Sequence, residues 1–461
     1  MAFRTRLLHV ALSTSALLLA LKAQELNRVN VVPENSNITI TASDIDLFED
    51  GHKEPNLLVN PLGCKPSSLV PRPAAKDSTS TVAVLLDTIH FLRGAGLHPA
   101  TQAMKAEVKK WLRGLSSEDA IAVYSTDLDF HILRDFIIDD HGPIFADRPS
   151  AEVEAGLSVY DKMSLMPSPA TTTQFSLGGI VEMELASLEA VANHMSGLPG
   201  RKALVWYCAD DAMPQLESAR HFDWWASAIH ILANANIAVY TISCVDPKTK
   251  AGEGLAKATG GRFYNGSLQL KKAIEDALKD NRCSYDVTWQ RQPNSATPSL
   301  RVIEIEPKVK ALKLLYPNRY FDRELPLDET YRLKAAEKAL IYPLEANGTP
   351  LSVATERHEE SLKVSVKFNP RQISFAKTEG KRDALLDVIW AWYASDGLRI
   401  PAGSRNELKF DIEDTQFDEY IRKDHVFELP LDVPGSAVEL RVALRDARSG
   451  RVGSKIIPLS R

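Results

Sequence analysis

Acidic side chains follow several apolar runs in the middle of the chain. Asp87 directly follows the run Val82–Leu86, and Asp127, Asp211 and Asp246 come shortly after three later runs. Carboxylates grouped in this way can bind a hard divalent cation, perform acid–base chemistry, or form a polar rim that contacts a partner. Each use requires that the runs be neighbouring strands that end at one edge of a sheet.

The sequence contains none of the short motifs that mark common catalytic sites. It has no glycine-rich phosphate loop, no His-Glu-x-x-His zinc motif and no Gly-x-Ser-x-Gly nucleophile elbow. The histidines are scattered singly, and His90 is the one that falls among the acidic residues named above. The adjacent pairs Asp139-Asp140 and Asp210-Asp211 are typical of loop charge, because acid–base catalysis needs carboxyl groups across a shared cleft. The chain is therefore predicted not to be an enzyme.

Strand and helix patterns alternate from residue 76 to residue 282. Continuous apolar runs at Val82–Leu86, Ala120–Tyr124, Ala203–Tyr207 and Ile237–Ile242 are separated by stretches with helical spacing. This alternation is typical of right-handed crossovers, and we predict a doubly wound, mostly parallel α/β sheet. In such sheets ligands bind at the carboxyl ends of the strands. We expect a protein partner to contact a rim there, formed by Thr88, His90, Phe91, Asp127, Asp211 and Asp246.

Segments with β-type patterns flank this domain. Residues 24–75 contain strand-like stretches and a linker rich in Pro and Ser, and residues 283–325 extend the domain with further strands. A helical joint is predicted over 326–344. From 345 to 461, apolar and polar residues alternate between turn signals such as Pro434-Gly435, which predicts an antiparallel β-sandwich.

The amino terminus predicts export. Arg4 and Arg6 precede an apolar stretch from Leu7 to Leu21, and the small residue Ala23 precedes Gln24, as in a secretory signal peptide over 1–23. That stretch is shorter than the roughly 20 residues of a membrane span, and no later stretch approaches that length. The mature chain is therefore expected in the periplasm or medium, without stable membrane insertion after signal cleavage.

Composition excludes one class of partner. Charged residues make up 25% of the 461 residues, and the formal net charge is −5. Nucleic-acid binding needs a concentrated basic face, and no such run occurs. The nearest cluster contains Arg441 and Arg445, which alternate with apolar neighbours and are predicted to lie on the solvated face of a strand.

Four cysteines bear on the fold in an exported chain, where disulfides persist. Cys64, Cys208, Cys244 and Cys283 allow three pairings and show no Cys-x-x-Cys spacing. Cys208 and Cys244 each end a predicted strand and could approach one another. The alternative is that both are buried as small apolar residues.

Several segments resemble a known family. The segments similar to the von Willebrand factor type A fold are VAVLLDT at 82–88, SGLPGRKALVWYCADD at 196–211 and IAVYTISCVDP at 237–247. The segments similar to exported acidobacterial proteins called VWFA-related domain proteins are TASD at 41–44, EDG at 49–51, Tyr320-Phe321 and LRDARSGRVGSKIIPL at 444–459. The resemblance covers nearly all of the mature chain. It implies a type A domain between β segments.

The resemblance also implies where a metal ion would bind. Many type A domains hold a divalent ion through Asp-x-Ser-x-Ser after the first strand, a later Thr, and an Asp after the fourth strand. The matching ligands here are Asp87, Thr171 and Asp210, but Ile89 and Phe91 stand at the two serine positions. Neither side chain carries an oxygen, so the remaining ligands would hold Mg²⁺ only weakly. No resident cofactor is expected.

The sequence thus predicts an exported, non-catalytic binding or assembly protein that uses the carboxyl edge of a type A-like domain. One alternative is a structural component of the cell envelope whose β-sandwich makes the main contacts. A hydrolase is a further alternative, and it would require Asp87, His90 and Asp210 to share a deep pocket.

Overall fold

The computed structural model describes the following residues: 26–34, 38–62, 81–87, 99–115, 119–126, 130–139, 142–147, 153, 177–208, 222–244, 250, 252–290, 300–321, 336–358 and 361–459. The strands are β1 (Leu26–Pro33), β2 (Ile45–Glu49), β3 (His52–Lys53), β4 (Leu58–Leu62), β5 (Val82–Asp87), β6 (Ile121–Thr126), β7 (Phe130–Asp139), β8 (Gly142–Asp147), β9 (Lys202–Tyr207), β10 (Ile237–Ser243), β11 (Phe263–Asn265), β12 (Ser284–Gln290), β13 (Leu300–Pro307), β14 (Leu314–Leu315), β15 (Arg319–Phe321), β16 (Leu351–His358), β17 (Ser361–Phe368), β18 (Ala376–Thr378), β19 (Lys381–Tyr393), β20 (Arg399–Glu413), β21 (His425–Asp432), β22 (Glu439–Asp446) and β23 (Val452–Pro458). The helices are α1 (Pro99–Arg113), α2 (Leu177–Met195), α3 (Phe222–Asn234), α4 (Glu253–Thr259), α5 (Leu270–Arg282) and α6 (Asp414–Tyr420). The predicted signal peptide lies outside the described residues.

A mixed seven-stranded sheet occupies the middle of the chain, in the order β11-β10-β9-β5-β6-β7-β8. The five strands from β11 to β6 are parallel, and β7 and β8 are antiparallel additions at one edge. The four apolar runs are therefore confirmed as neighbouring strands of an α/β sheet. β7 and β8 form an antiparallel hairpin at this edge.

Apolar cores cover both faces of this sheet. Val82, Val84 and Leu86 of β5 pack into one core with α1 and α5, whereas Ala83 and Leu85 pack into the other with α2, α3 and α4. Successive side chains of a strand point to opposite faces. A strand covered on both faces must therefore be apolar throughout, which explains the unbroken run in the sequence.

The segments before and after this domain combine into β layers of their own. β1 pairs with β12, and β2 pairs with β13, all antiparallel. Their shared core includes Val31, Leu47, Val287, Trp289 and Ile303. The sequence predicts strands in both segments, but the pairing joins residues more than 200 positions apart and has no local signal.

The carboxyl-terminal part is an antiparallel β-sandwich, as predicted. One sheet has the order β16-β17-β21, the other has the order β18-β19-β22-β23, and β20 pairs with β19. The alternating residues Val364, Val366, Leu440 and Val442 face the core between the sheets. The alternation in the sequence is thus the inward and outward period of the strands.

The prediction that Arg441 and Arg445 lie on a solvated face is wrong. Arg441 is 7% exposed, because a helical turn over 336–341 covers the outer face of β22 at that point. Arg445 is 2% exposed and lies beside Asp387, with Nη1 3.5 Å from Asp387 Oδ2, and beside His230 of α3. Arg441 Nη1 donates to the carbonyl oxygens of Leu340 and Ile341, each at 2.9 Å. Within the described ranges, no helix is long and apolar enough to cross a membrane.

Candidate binding edge of the parallel sheet

The carboxyl ends of the parallel strands meet at one edge of the central sheet. Asp87 of β5 pairs with Thr126 of β6, and Leu86 pairs with Tyr207 of β9. The amide of Cys208 donates to the carbonyl oxygen of Ile242 in β10 at 2.9 Å. The connections that begin at 88, 127, 209 and 245 therefore leave the sheet from this edge.

The described residues include only one of the predicted site residues, which is Asp87. The other predicted ligands and rim residues lie outside them: Thr88, His90, Phe91, Asp127, Thr171, Asp210, Asp211 and Asp246. Ile89, which stands at a serine position of the metal motif, also lies outside. The structure shows the positions of the strand ends that precede these segments.

Asp87 is held inside the protein rather than at its surface. Its side chain is on the same face of β5 as Ala83 and Leu85, and the residue is 0% exposed. Trp206 of the neighbouring strand β9 donates from its indole Nε1 to Asp87 Oδ2 at 2.9 Å. Trp206 is also 0% exposed, so this hydrogen bond is completely shielded from solvent. Hydrogen bonds to carboxylates are stronger than neutral ones.

A row of hydroxyl groups lies next to Asp87. Thr126 Oγ1 lies 3.1 Å from Ser187 Oγ of α2, and Ser187 Oγ lies 3.2 Å from the hydroxyl of Tyr342. Burial raises the pKa of Tyr342, the hydrogen bond with Ser187 lowers it, and the charge of Asp87 raises it further. Tyr342 belongs to the joint that precedes the sandwich, so the joint packs against the carboxyl edge of the sheet.

The described part of this edge brings the Asp87 carboxylate next to hydroxyl groups that are already hydrogen-bonded. One oxygen of Asp87 is committed to Trp206, and the nearby hydroxyls bond to one another. Mg²⁺ requires near-octahedral oxygen ligands together with room for several waters. Among the described residues, no group of three or more His, Cys, Asp or Glu side chains is placed to hold a metal ion.

A disulfide bond joins two strand ends at the same edge. Cys208 and Cys244 are bonded, with 36 residues of sequence separation and their Cα atoms 5.0 Å apart. Of the two readings that the sequence left open, the structure therefore selects pairing. Cys283 is disulfide-bonded as well. The Cys208–Cys244 bond ties β9 to β10 where their connections leave the sheet.

A polar cluster that the sequence did not indicate joins the α/β domain to the joint. The His194 ring, at the end of α2, has Nε2 3.0 Å from Asp135 Oδ1 and Nδ1 2.6 Å from the carbonyl oxygen of Glu345. Both neighbours, a carboxylate and a backbone carbonyl, are hydrogen-bond acceptors for the ring. Asn347 Nδ2 adds a hydrogen bond to the carbonyl oxygen of His194 at 2.9 Å.

The carboxyl group of Asp135 responds to this cluster. Burial alone would raise its pKa, but hydrogen bonds from His194, from the amide of Phe136 and from the hydroxyl of Tyr124 hold the pKa below its usual value. The joint is also tied to α2 by Lys338, whose Nζ lies 3.2 Å from Glu189 Oε2. No local pattern could have indicated these contacts, because each partner comes from a distant part of the chain.

Comparisons with known proteins add little to this geometry. No family model matches the chain, and no curated protein matches it. Among solved structures, the human COPII-coat protein Sec24c is 11% identical, with a TM-score of 0.25. That match covers 83% of this chain and 45% of Sec24c, so the chain spans less than half the length of that protein. A likeness at this level does not assign a family or a function.

Proposed function

We propose that the chain is an exported, non-catalytic binding protein whose type A-like domain contacts a protein partner through the carboxyl edge of its parallel sheet. The single observation that carries this proposal is the environment of Asp87. The carboxyl group that would be the first ligand of a type A metal site is 0% exposed and accepts a hydrogen bond from Trp206. It therefore stabilises the domain, and recognition falls to the segments that leave the edge.

The arrangement of the edge supports this use. Connections from four neighbouring parallel strands leave the sheet together, and the disulfide between Cys208 and Cys244 fixes two of them at their base. Binding residues held on loops above a rigid sheet keep their geometry without a metal ion. The disulfide also supports export, because such bonds persist in oxidising compartments.

The type A-like, doubly wound arrangement belongs to the same proposal. Five parallel strands with apolar cores on both faces support it, as does the resemblance of the segments at 82–88, 196–211 and 237–247. The flanking β layers and the sandwich support the narrower resemblance to VWFA-related domain proteins.

A second candidate is a structural envelope component whose sandwich makes the main contacts. Two exposed apolar residues of the sandwich favour it: Leu398 is 68% exposed and Val426 is 56% exposed. Exposed apolar side chains are common on monomers, and a pair of them is a weaker signal than a contiguous patch.

Affinity capture from envelope extracts with matched variants separates the two candidates. The rim variant is Phe91→Ala with Asp211→Ala, and the sandwich variant is Leu398→Ser with Val426→Ser. We expect the rim variant to lose at least about 90% of a partner that the wild type retains, since interface aromatic residues can contribute 2 kcal/mol or more. The sandwich variant should retain that partner, and EDTA should change neither result.

The opposite pattern would support the second candidate. If the sandwich variant loses the partner while the rim variant retains it, the carboxyl edge is not the binding surface. If EDTA abolishes capture by the wild type, binding depends on a metal, and the proposed mode of recognition is wrong.

A further inference from the structure

A cavity lies at the opposite edge of the central sheet, between the parallel strands and the amino-terminal β layers. Its volume is about 430 Å³, within the usual range of small-molecule sites. The walls come from β1, from the turn between α2 and β9, from the end of α3, and from β15. The site is therefore separate from the carboxyl edge where the partner is proposed to bind.

The walls of this cavity are positively charged. Arg28, Arg201, Lys202 and Arg319 line it, and the described lining residues include no Asp or Glu. Arg28 carries a counter-charge from just outside the lining, since its Nη2 lies 2.5 Å from Asp286 Oδ2. Charges of one sign in a cleft with low-dielectric walls concentrate ligands of the opposite sign.

Two of these cations, Arg201 and Lys202, are adjacent in sequence, and both are buried. The groups that accept hydrogen bonds from them are uncharged. Arg201 is 6% exposed, and its Nη2 donates to the carbonyl oxygen of Gly260 at 2.9 Å and to the hydroxyl of Tyr240 at 3.4 Å. Its Nε–H has no hydrogen-bond partner among the described residues. Buried guanidinium groups are usually paired with a carboxylate, and buried donors are rarely left unsatisfied.

Lys202 shows the same feature. It is 3% exposed, and its Nζ donates to the carbonyl oxygens of Leu198 at 2.7 Å and Gly200 at 3.2 Å. An ammonium group has three donors, so two neutral carbonyls do not exhaust it and bring no counter-charge. Burial lowers the pKa of Lys202 to about 8, which is the expected response of an amine without a nearby anion.

We propose that this cavity binds the oxyanion group of a small molecule, a phosphate or a carboxylate, which supplies the direct anionic contact that Arg201 and Lys202 lack. The carboxylate of Asp280 reaches Arg201 only through the hydroxyl of Tyr240. Arg28 and Arg319 are exposed residues of the cavity lining. Arginine is suited to this role because its fork of donors matches phosphate and carboxylate oxygens. The inference does not depend on the proposed function of the carboxyl edge.

Isothermal titration of the mature chain at constant ionic strength tests this inference, with inorganic phosphate and succinate as the probes. We expect saturable binding of at least one probe. Arg319→Ala should weaken that binding at least about fivefold, because it removes one charge contact to the ligand. The charge-matched control is Lys271→Ala, which removes an exposed lysine of α5 outside the cavity and should leave binding unchanged.

Proton uptake gives an independent readout for Lys202. Binding of an anion favours the ammonium form, so complex formation above pH 8 should take up a proton, measured with buffers of different ionisation enthalpy. Lys202→Met should abolish this uptake. If only phosphate or only succinate binds, that result identifies the class of oxyanion that the cavity accepts. The inference is overturned if neither probe gives saturable binding, or if Arg319→Ala binds like the wild type. If Lys202→Met does not fold, the binding measured with Arg319→Ala still tests the inference.

Discussion

The hydrogen bond between Trp206 and Asp87 gives the most direct stability prediction. Trp206→Phe removes the indole donor but keeps an aromatic ring in the same buried position. A hydrogen bond to a charged group contributes about 1.5–3 kcal/mol, and the cavity left by the smaller ring costs about 1 kcal/mol more. We therefore expect the free energy of unfolding to fall by about 3 kcal/mol.

A matched control separates the two contributions. Trp392 of the sandwich is also buried, and its indole has no carboxylate partner among the described residues. Trp392→Phe should therefore show the cavity cost alone, about 1 kcal/mol. Urea unfolding at pH 7, followed by circular dichroism, measures both variants on the same scale.

A double-mutant cycle tests whether the hydrogen bond itself is responsible. Asp87→Asn keeps an acceptor but removes the negative charge, so its combination with Trp206→Phe should cost less than the two single changes added together. We expect a coupling energy of at least about 1 kcal/mol. Additive effects, to within about 0.3 kcal/mol, would falsify the structural role assigned to Asp87.

Three further predictions follow from the described contacts. Replacing Cys208 and Cys244 together by Ser should lower the free energy of unfolding by about 4 kcal/mol, because the disulfide restricts the chain entropy of a 36-residue loop in the unfolded state. Urea titrations without reductant measure this change, and an unchanged midpoint would contradict it. Asp135→Asn should destabilise the chain by about 2–3 kcal/mol at pH 7, because the buried His194 loses its carboxylate. Since the pKa of Asp135 is lowered in the folded state, that difference should persist above about pH 4 and shrink as the pH falls further, and a constant difference down to pH 2 would refute it. The pKa of Lys202 is lowered from 10.5 to about 8 in the folded state, so the unfolded chain binds more protons between these two pH values. The stability of the wild type relative to Lys202→Met should therefore rise by about 3 kcal/mol from pH 7 to pH 10.5. A difference that does not change with pH would contradict the burial of this amine.

The strands and helices were predictable because their signals are local. A strand covered on both faces is apolar at every position, as at Val82–Leu86, and the strands of the sandwich alternate with period two, as at Val364 and Val366. The sequence allows two interpretations of Cys208 and Cys244, a disulfide or two buried thiols. The structure shows the disulfide, because both residues follow the ends of neighbouring parallel strands. The strand signals follow from each residue and its immediate neighbours.

Other features depend on contacts between distant segments and had no local signal. The pairing of β1 with β12 and the covering of β22 by the helical turn over 336–341 are examples. The second of these made the prediction for Arg441 wrong, because an alternating pattern does not show that a later-packed segment covers the polar face. The hydrogen bond from Trp206 to Asp87 is another example, because the sequence around Trp206 indicates only a core residue of its strand.

Site-specific photo-crosslinking tests the central claim, recognition of a partner by the carboxyl edge without a metal ion. A photoreactive amino acid is placed at Phe91 on the predicted rim, or at Val426 on the sandwich, which is 56% exposed. We predict that irradiation in envelope extracts containing EDTA yields a discrete protein adduct from position 91 and none from position 426. An adduct from position 426 alone, or an adduct from position 91 that requires Mg²⁺, would contradict the proposed function.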